Sequence, residues 1–182
     1  MKNIAISWII IAVAVAPASA QEYFTKNGHI AFFSKTVFED ISAFHNQVIS
    51  ILNVQTGEIR FSLLNKAFHF PKAKMEEDFN DEYIESDRYP RSTFAGSVDH
   101  ITEINFAKDG SWPVVVTGDL LIHGVIKRIT IPGTLTVKSG QISVSSSFRI
   151  LPEDYHIKIP SIVSYKVAKS IDVTVECLYQ KK

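Results

Sequence analysis

The sequence predicts an all-β domain of about eight strands, closed into a barrel or packed as a sandwich, with one helical insertion. Three observations predict it. Apolar and polar residues alternate at period two along most of the chain after residue 20, the pattern of strands with one buried face. These runs recur at short, regular spacing between Gly, Asn, Asp and Ser turn signals. One charged stretch without Gly or Pro, Ala73 to Ser86, interrupts the alternation with helical spacing.

The elements follow in order. Asn27-Gly28 reads as a turn before a first strand, His29 to Ser34. Val48 to Val54 reads as a second strand, ended by Thr56-Gly57. In Glu58 to Leu63 the residues Ile59, Phe61 and Leu63 share a face. Ala67 to Phe70 reads as a prolongation with shifted phase, the mark of a bulge. Met75, Phe79 and Tyr83 then fall at i, i+4 and i+8, an apolar helical stripe. Tyr89-Pro90 stops the helix, because proline disfavours helical backbone in the residue before it. Phe94, Gly96 and Val98 resume the alternation, and Asp109-Gly110 reads as a hairpin turn. Val114, Val116, Gly118, Leu120 and Ile122 share the next face. Gly124 permits a break before Ile129, Ile131 and the run Leu135 to Val137. Ser139-Gly140 turns the chain into Ile142 to Ile150. Pro152 to Pro160 reads as a surface loop, and Ile171, Val173, Val175, Cys177 and Tyr179 mark the last strand.

The first twenty residues read as an address. Lys2 precedes an apolar run from Ile4 to Ala16, followed by Ala18 and Ala20 in the A-x-A spacing of a signal-peptidase site. The run is shorter than a membrane-spanning helix. Cleavage is therefore expected after Ala20, giving residues 1–20 as leader and 21–182 as one domain, exported to the periplasm or secreted. Nineteen basic residues balance nineteen acidic ones, which argues against a nucleic-acid partner, whose affinity needs a basic footprint. The single cysteine excludes an internal disulfide and a cysteine-rich metal site.

Closing eight strands removes every sheet edge and encloses an interior that is either filled or left for one ligand. The inward registers carry Phe32, Phe61, Phe94, Val116, Leu120 and Val173. Gly96 and Gly118 share those faces and give up volume. The expectation is an apolar cavity for a long hydrophobic ligand, with those six residues as wall. Tapered packing without a cavity is the alternative. Asn46, Tyr83, Arg88 and His123 are the candidates for polar contacts at the rim.

Two stretches resemble YceI-like proteins. Phe79 to Phe94, with Tyr89-Pro90 and Phe94, is similar to that family's "YP-x-x-x-F" exit from helix to strand. Gly118 to Lys127 is similar to its "G-x-L-x-I-H-G-V-x-K" hairpin. Glu153 to Pro160 is a looser match to a late loop. Ala43 to Gln47 departs from the family's early glycine-flanked segment, at what would be one barrel mouth. The resemblance implies a lipocalin-like eight-stranded antiparallel barrel. It also implies an extracytoplasmic protein, often a homodimer, that holds a long-chain isoprenoid lipid or quinone and needs no catalytic cofactor.

No arrangement of residues reads as catalytic. The six histidines show no i, i+2 or i, i+4 pair for a metal. There is no G-x-S-x-G elbow. Asp81, Glu82, Glu85 and Asp87 read as a solvated helix face, and Cys177 as buried core. His123 is expected to satisfy a nearby backbone group. An enzyme acting on a lipid or quinone through His123 or the helix carboxylates, and an interaction module presenting Glu153 to Pro160, are the other readings.

Overall fold

A computed structural model describes residues 21–36, 39–159 and 168–182. The expected leader, its cut after Ala20 and Pro160 lie outside the described residues. Eight antiparallel strands form one closed barrel in sequential order. They are β1 (Glu22–Lys35), β2 (Asp40–Asn53), β3 (Glu58–Leu64), β4 (Arg91–Val98), β5 (Gly110–Ile122), β6 (Val125–Lys138), β7 (Gln141–Ile150) and β8 (Ile171–Lys181). Pairing of β1 with β8 completes the circle, Ile30 opposite Val175 and Phe32 opposite Val173. The sheet is thus a barrel and not a sandwich.

The two ends of this barrel differ. One end carries the insertion between β3 and β4, the β5–β6 hairpin and the connection from β7 to β8. The other carries the short β2–β3 and β6–β7 turns, the β4–β5 connection and the described termini. Burial grades between them. On β8, Ile171 at the first end is only half-buried, Val175 is buried, and Tyr179 near the other end is 1% exposed. Ile142 pairs with Tyr179, and Leu52, Leu135 and, from the β4–β5 connection, Ile101 and Ile104 belong to the same buried cluster. Tyr179 donates its hydroxyl to Ser50 Oγ at 2.6 Å, and Ser50 in turn donates to the Arg60 carbonyl at 2.9 Å. That relay satisfies two polar groups in a floor otherwise built of hydrocarbon.

Several expected elements differ. Asn27-Gly28 is no turn but lies within β1, where the pairing with β2 slips between Thr25 and Ile30. An extra residue on each strand leaves Lys26-Asn27 and Asn46-Gln47 as adjacent outward pairs. Gly28 is needed because a β-carbon there would stand 2.6 Å from Cys177 Sγ. The second strand begins at Asp40, eight residues before its expected start, and absorbs Ala43 to Gln47. Ala67 to Phe70 does not prolong β3. A 3-10 turn, Asn65–Ala67, ends that strand, and His69 returns to a single bridge with Phe44. Asp109-Gly110 is no hairpin turn: Asp109 instead accepts the backbone N–H of Ser139 at 2.8 Å, tying the β4–β5 connection to the β6–β7 turn.

The helical insertion is α1 (Ala73–Asp78), which widens into a π turn, Phe79–Tyr83. Its exit is fixed by Asn65, which is fully buried. Asn65 Nδ2 donates to the Tyr89 carbonyl at 2.6 Å, its Oδ1 accepts from Ser92 Oγ at 2.8 Å, and its N–H donates to the Pro90 carbonyl. One side chain thereby pins the Tyr89-Pro90 segment against the start of β4.

Candidate functional site

The graded burial leaves a chamber of about 520 Å³ above the floor, opening toward the end that bears the insertion. Its wall is the inward register of the strands. Phe32, Phe61, Phe94, Val116, Leu120 and Val173 all line it. Isoleucines and valines of β5 to β8 complete the circle, among them Ile129, Ile131, Val144 and Ile171. Alternation put these side chains on one face of each strand, and closure turned that face into a tube.

The inward glycines do not open the chamber, contrary to expectation. Gly96 and Gly118 face each other across β4 and β5. A β-carbon on Gly118 would lie 2.5 Å from the Phe94 ring, and one on Gly96 2.8 Å from it. The volume these glycines give up is therefore occupied by Phe94, not left empty. The hollow arises instead from the mid-sized aliphatic side chains of β5 to β8.

The insertion covers part of the opening with aromatic rings. Phe79 from the π turn packs on Phe32 at 5.7 Å, Phe68 at 5.6 Å and Phe70 at 5.1 Å between centroids. Phe32 also meets Phe68 at 5.3 Å. Met75, Phe79 and Tyr83, the stripe seen in the sequence, all face the chamber. Phe68 and Phe70 were missed because the 3-10 turn before them hides their phase. The loop after β7 contributes too. It was expected at the surface, yet Pro152 and Tyr155 are buried, and Ile157 and Ile159 line the chamber.

Among the described residues, the charged side chains that reach the chamber are Glu39, Lys72, Lys74 and Asp78, and they come as pairs. Lys72 Nζ lies 2.8 Å from Glu39 Oε1, and Lys74 Nζ 2.8 Å from Asp78 Oδ1. The hydrogen bonds that the Lys74 ammonium donates to Asp78 and Glu77 hold it above its ordinary range. Tyr83 is the one rim candidate that reaches the chamber. Burial, with Glu82 and Asp78 adding to it, pushes its phenol up.

The other rim candidates stand elsewhere. Asn46 sits on the outer face of β2, its Oδ1 2.6 Å from His29 Nδ1. Arg88 lies over the Tyr89 ring at 5.1 Å. His123 occupies the β5–β6 hairpin with Gly124, both at positive φ as a two-residue primed turn requires. Its Nδ1 lies 3.0 Å from the Tyr155 carbonyl oxygen and its Nε2 2.7 Å from Glu85 Oε2. The ring thus joins the insertion, the hairpin and the loop after β7. Neither nitrogen is directed at the chamber lining.

Cys177 lies near the floor, and burial pushes its thiol up to about 12. His45 is 1% exposed, with Nδ1 accepting the Gln47 N–H at 3.0 Å and Nε2 without a hydrogen-bond partner among the described residues. Burial lowers its pKa; the Leu64 backbone opposes this and His69 adds to it.

Comparison with known proteins places this architecture. The YceI-like domain matches residues 15–178. Among solved structures, a polyisoprenoid-binding domain from Saccharophagus degradans, implicated in plant cell wall breakdown, superposes with a TM-score of 0.78 at 16% identity, covering 90% of this chain and 99% of that one. BcnA of Burkholderia cenocepacia gives 0.69 at 14% identity, covering 84% of this chain and 96% of that one. A YceI protein of Campylobacter jejuni gives 0.53 at 14% identity, covering 100% of this chain and 99% of that one. No curated protein matches the sequence. A match to the family over most of its length, on a closed barrel of the same lipocalin-like fold, means that the chain belongs to the YceI-like family.

Proposed function

We propose that this protein binds an isoprenoid lipid or quinone by burying its tail in the barrel. The observation that carries the reading is the hollow above the floor, about 520 Å³ and walled by hydrocarbon. Soluble barrels of eight strands usually fill their interior or keep it for one small ligand. Each buried CH₂ contributes roughly 0.8 kcal/mol, so a prenyl tail needs few polar contacts to be held. The solved relative described as polyisoprenoid-binding supports the same ligand class. The six wall residues named above, Phe32 to Val173, are the tail contacts of this proposal. Tyr83 and the paired charges at the mouth are its polar neighbours, while Asn46, Arg88 and His123 stand away from it.

The role is carriage or storage rather than catalysis. Both ring nitrogens of His123 are engaged by Glu85 and Tyr155, and Asp78 is paired with Lys74. The leader-like first twenty residues support export to the periplasm or beyond. Phe33, Phe44, Ile49 and Leu64 stand exposed on the outward side of β1 to β3, and a homodimer formed there belongs to the same proposal.

The test is direct. Protein purified from cells is extracted with organic solvent and the extract analysed by mass spectrometry. An isoprenoid recovered near one per chain supports the proposal. Protein that neither carries nor takes up any isoprenoid ends it.

A further inference from the structure

A buried histidine sits where β2 parts from β3. The ladder joining these strands ends at Ile49 and Ser62. Beyond that point β2 is tied instead to the stretch before the insertion: Phe44 N–H donates to the His69 carbonyl at 3.1 Å, and His69 N–H to that of Phe44 at 2.8 Å. His45 lies on β2 between these two attachments, 1% exposed, with its ring edge-on to Phe68 at 5.4 Å between centroids.

Its hydrogen bonding makes this site intolerant of charge. At the adjoining bulge, Asn46 and Gln47 of β2 stand against the single His29 of β1. The spare Gln47 N–H donates to His45 Nδ1 at 3.0 Å. Nδ1 is therefore bare, and the proton of the neutral ring sits on Nε2, which has no hydrogen-bond partner among the described residues. A second proton must go onto Nδ1, where it meets the Gln47 N–H, donor against donor, in a site stripped of water. The surroundings do not compensate. Ala43, Val48, Leu63 and Phe68 form the local cluster, with Ile30 and Phe32 added from β1. His69 is the titratable neighbour that acts on the ring, and it opposes a positive charge there. Glu76 of α1 is engaged by the Phe70 N–H at 3.2 Å. Phe68 carries the consequence outward, because its ring also packs on Phe32 and Phe79, which partly cover the chamber.

We propose that His45 is an acid-sensitive latch: a second proton expels its ring, frees the bulge and Phe68, and loosens the barrel's hold on the tail. The last step rests on the lipid reading; the opening itself does not. The sign follows from burial. The closed ring resists protonation, whereas an opened ring takes the proton near the ordinary 6.5. Falling pH therefore favours the open form, by up to about thirtyfold between pH 7.5 and 5.

Two measurements test it. Hydrogen exchange of the ligand-free protein, corrected for intrinsic rates, is followed at both pH values over residues 44–48 and 61–70. Protein loaded with geranylgeraniol is passed through gel filtration at the same pH values, and the retained prenol is quantified by mass spectrometry. In the parent, exchange in those segments is expected to rise at least about fivefold at pH 5, and retention to fall by a similar factor. Both changes should vanish in His45→Gln and persist in His69→Gln. In the unsubstituted protein, the exchange should rise with the midpoint at which NMR sees the His45 ring titrate. A different midpoint, acid loosening that survives His45→Gln, or exchange raised evenly around the barrel overturns the latch. Equal retention at both pH values overturns its link to the tail and leaves lipid binding intact. No geranylgeraniol bound at pH 7.5 counts against the lipid reading, and the exchange then decides the latch alone.

Discussion

Gly118→Ala is a substitution whose sign differs between local propensity and packing. Gly118 lies inside β5 with no positive φ, so alanine fits the backbone. Reducing the freedom of the unfolded chain would then stabilise by about 0.4–1 kcal/mol. The packing opposes this. The new methyl would stand 2.5 Å from the Phe94 ring, 2.6 Å from the Ala95 carbonyl oxygen and 2.6 Å from Gly96 Cα. The ring can turn, but the other two atoms are backbone of the neighbouring strand and yield only if β4 and β5 part. Overpacking of this kind costs about 1–3 kcal/mol, so the net expectation is a loss of about 1–2 kcal/mol. Equilibrium urea unfolding followed by circular dichroism measures it, with Phe94→Leu and the double variant completing a cycle. The cycle should show coupling above about 0.5 kcal/mol, because the smaller side chain relieves the ring contact alone. A Gly118→Ala protein as stable as the parent, or more so, would refute the claim that Phe94 occupies the space the glycine vacates.

Four further outcomes are expected. Asn65→Ala strands the Tyr89 carbonyl and the Ser92 hydroxyl in a buried site and should cost about 2–4 kcal/mol in urea unfolding. Stability should fall as pH drops below the ordinary histidine value, because burial holds the pKa of His45 below its unfolded value, so the unfolded chain takes up the proton first. His45→Gln should flatten that slope in unfolding curves collected between pH 7.5 and 5. Cys177, its thiol pushed up to about 12, should resist iodoacetamide at pH 8 in the native protein and react only on denaturation. Leu120→Trp, which fills the chamber from its wall, should lower prenol uptake at least tenfold while leaving the circular dichroism spectrum unchanged.

The barrel was legible where strand parity runs unbroken. On β8 the alternation from Ile171 to Tyr179 identifies the inward residues, and on β5 that from Val114 to Ile122 does so but stops short of Trp112, which also packs on the core. It failed where parity slips. Two bulges between β1 and β2 put Asn46 and Gln47 on the same outward side, so half of β2 lost its signature. Asn27-Gly28 and Asp109-Gly110 carry hairpin chemistry but serve a bulge and a cross-connection, which only tertiary contacts decide. The wall of the chamber could be assembled from alternation and closure. Its mouth could not, because Phe68, Phe70 and Ile157 arrive from a 3-10 turn and loops whose periodicity says nothing of facing. The glycines misled for a simpler reason: a missing side chain does not reveal which neighbour takes its place.

A packed floor makes the barrel a blind socket. For a lipid held as proposed, passage straight through would be closed, so it would be inserted tail first and withdrawn by the head. Loading and unloading would then share one rim, beneath the rings of Phe70 and Phe79.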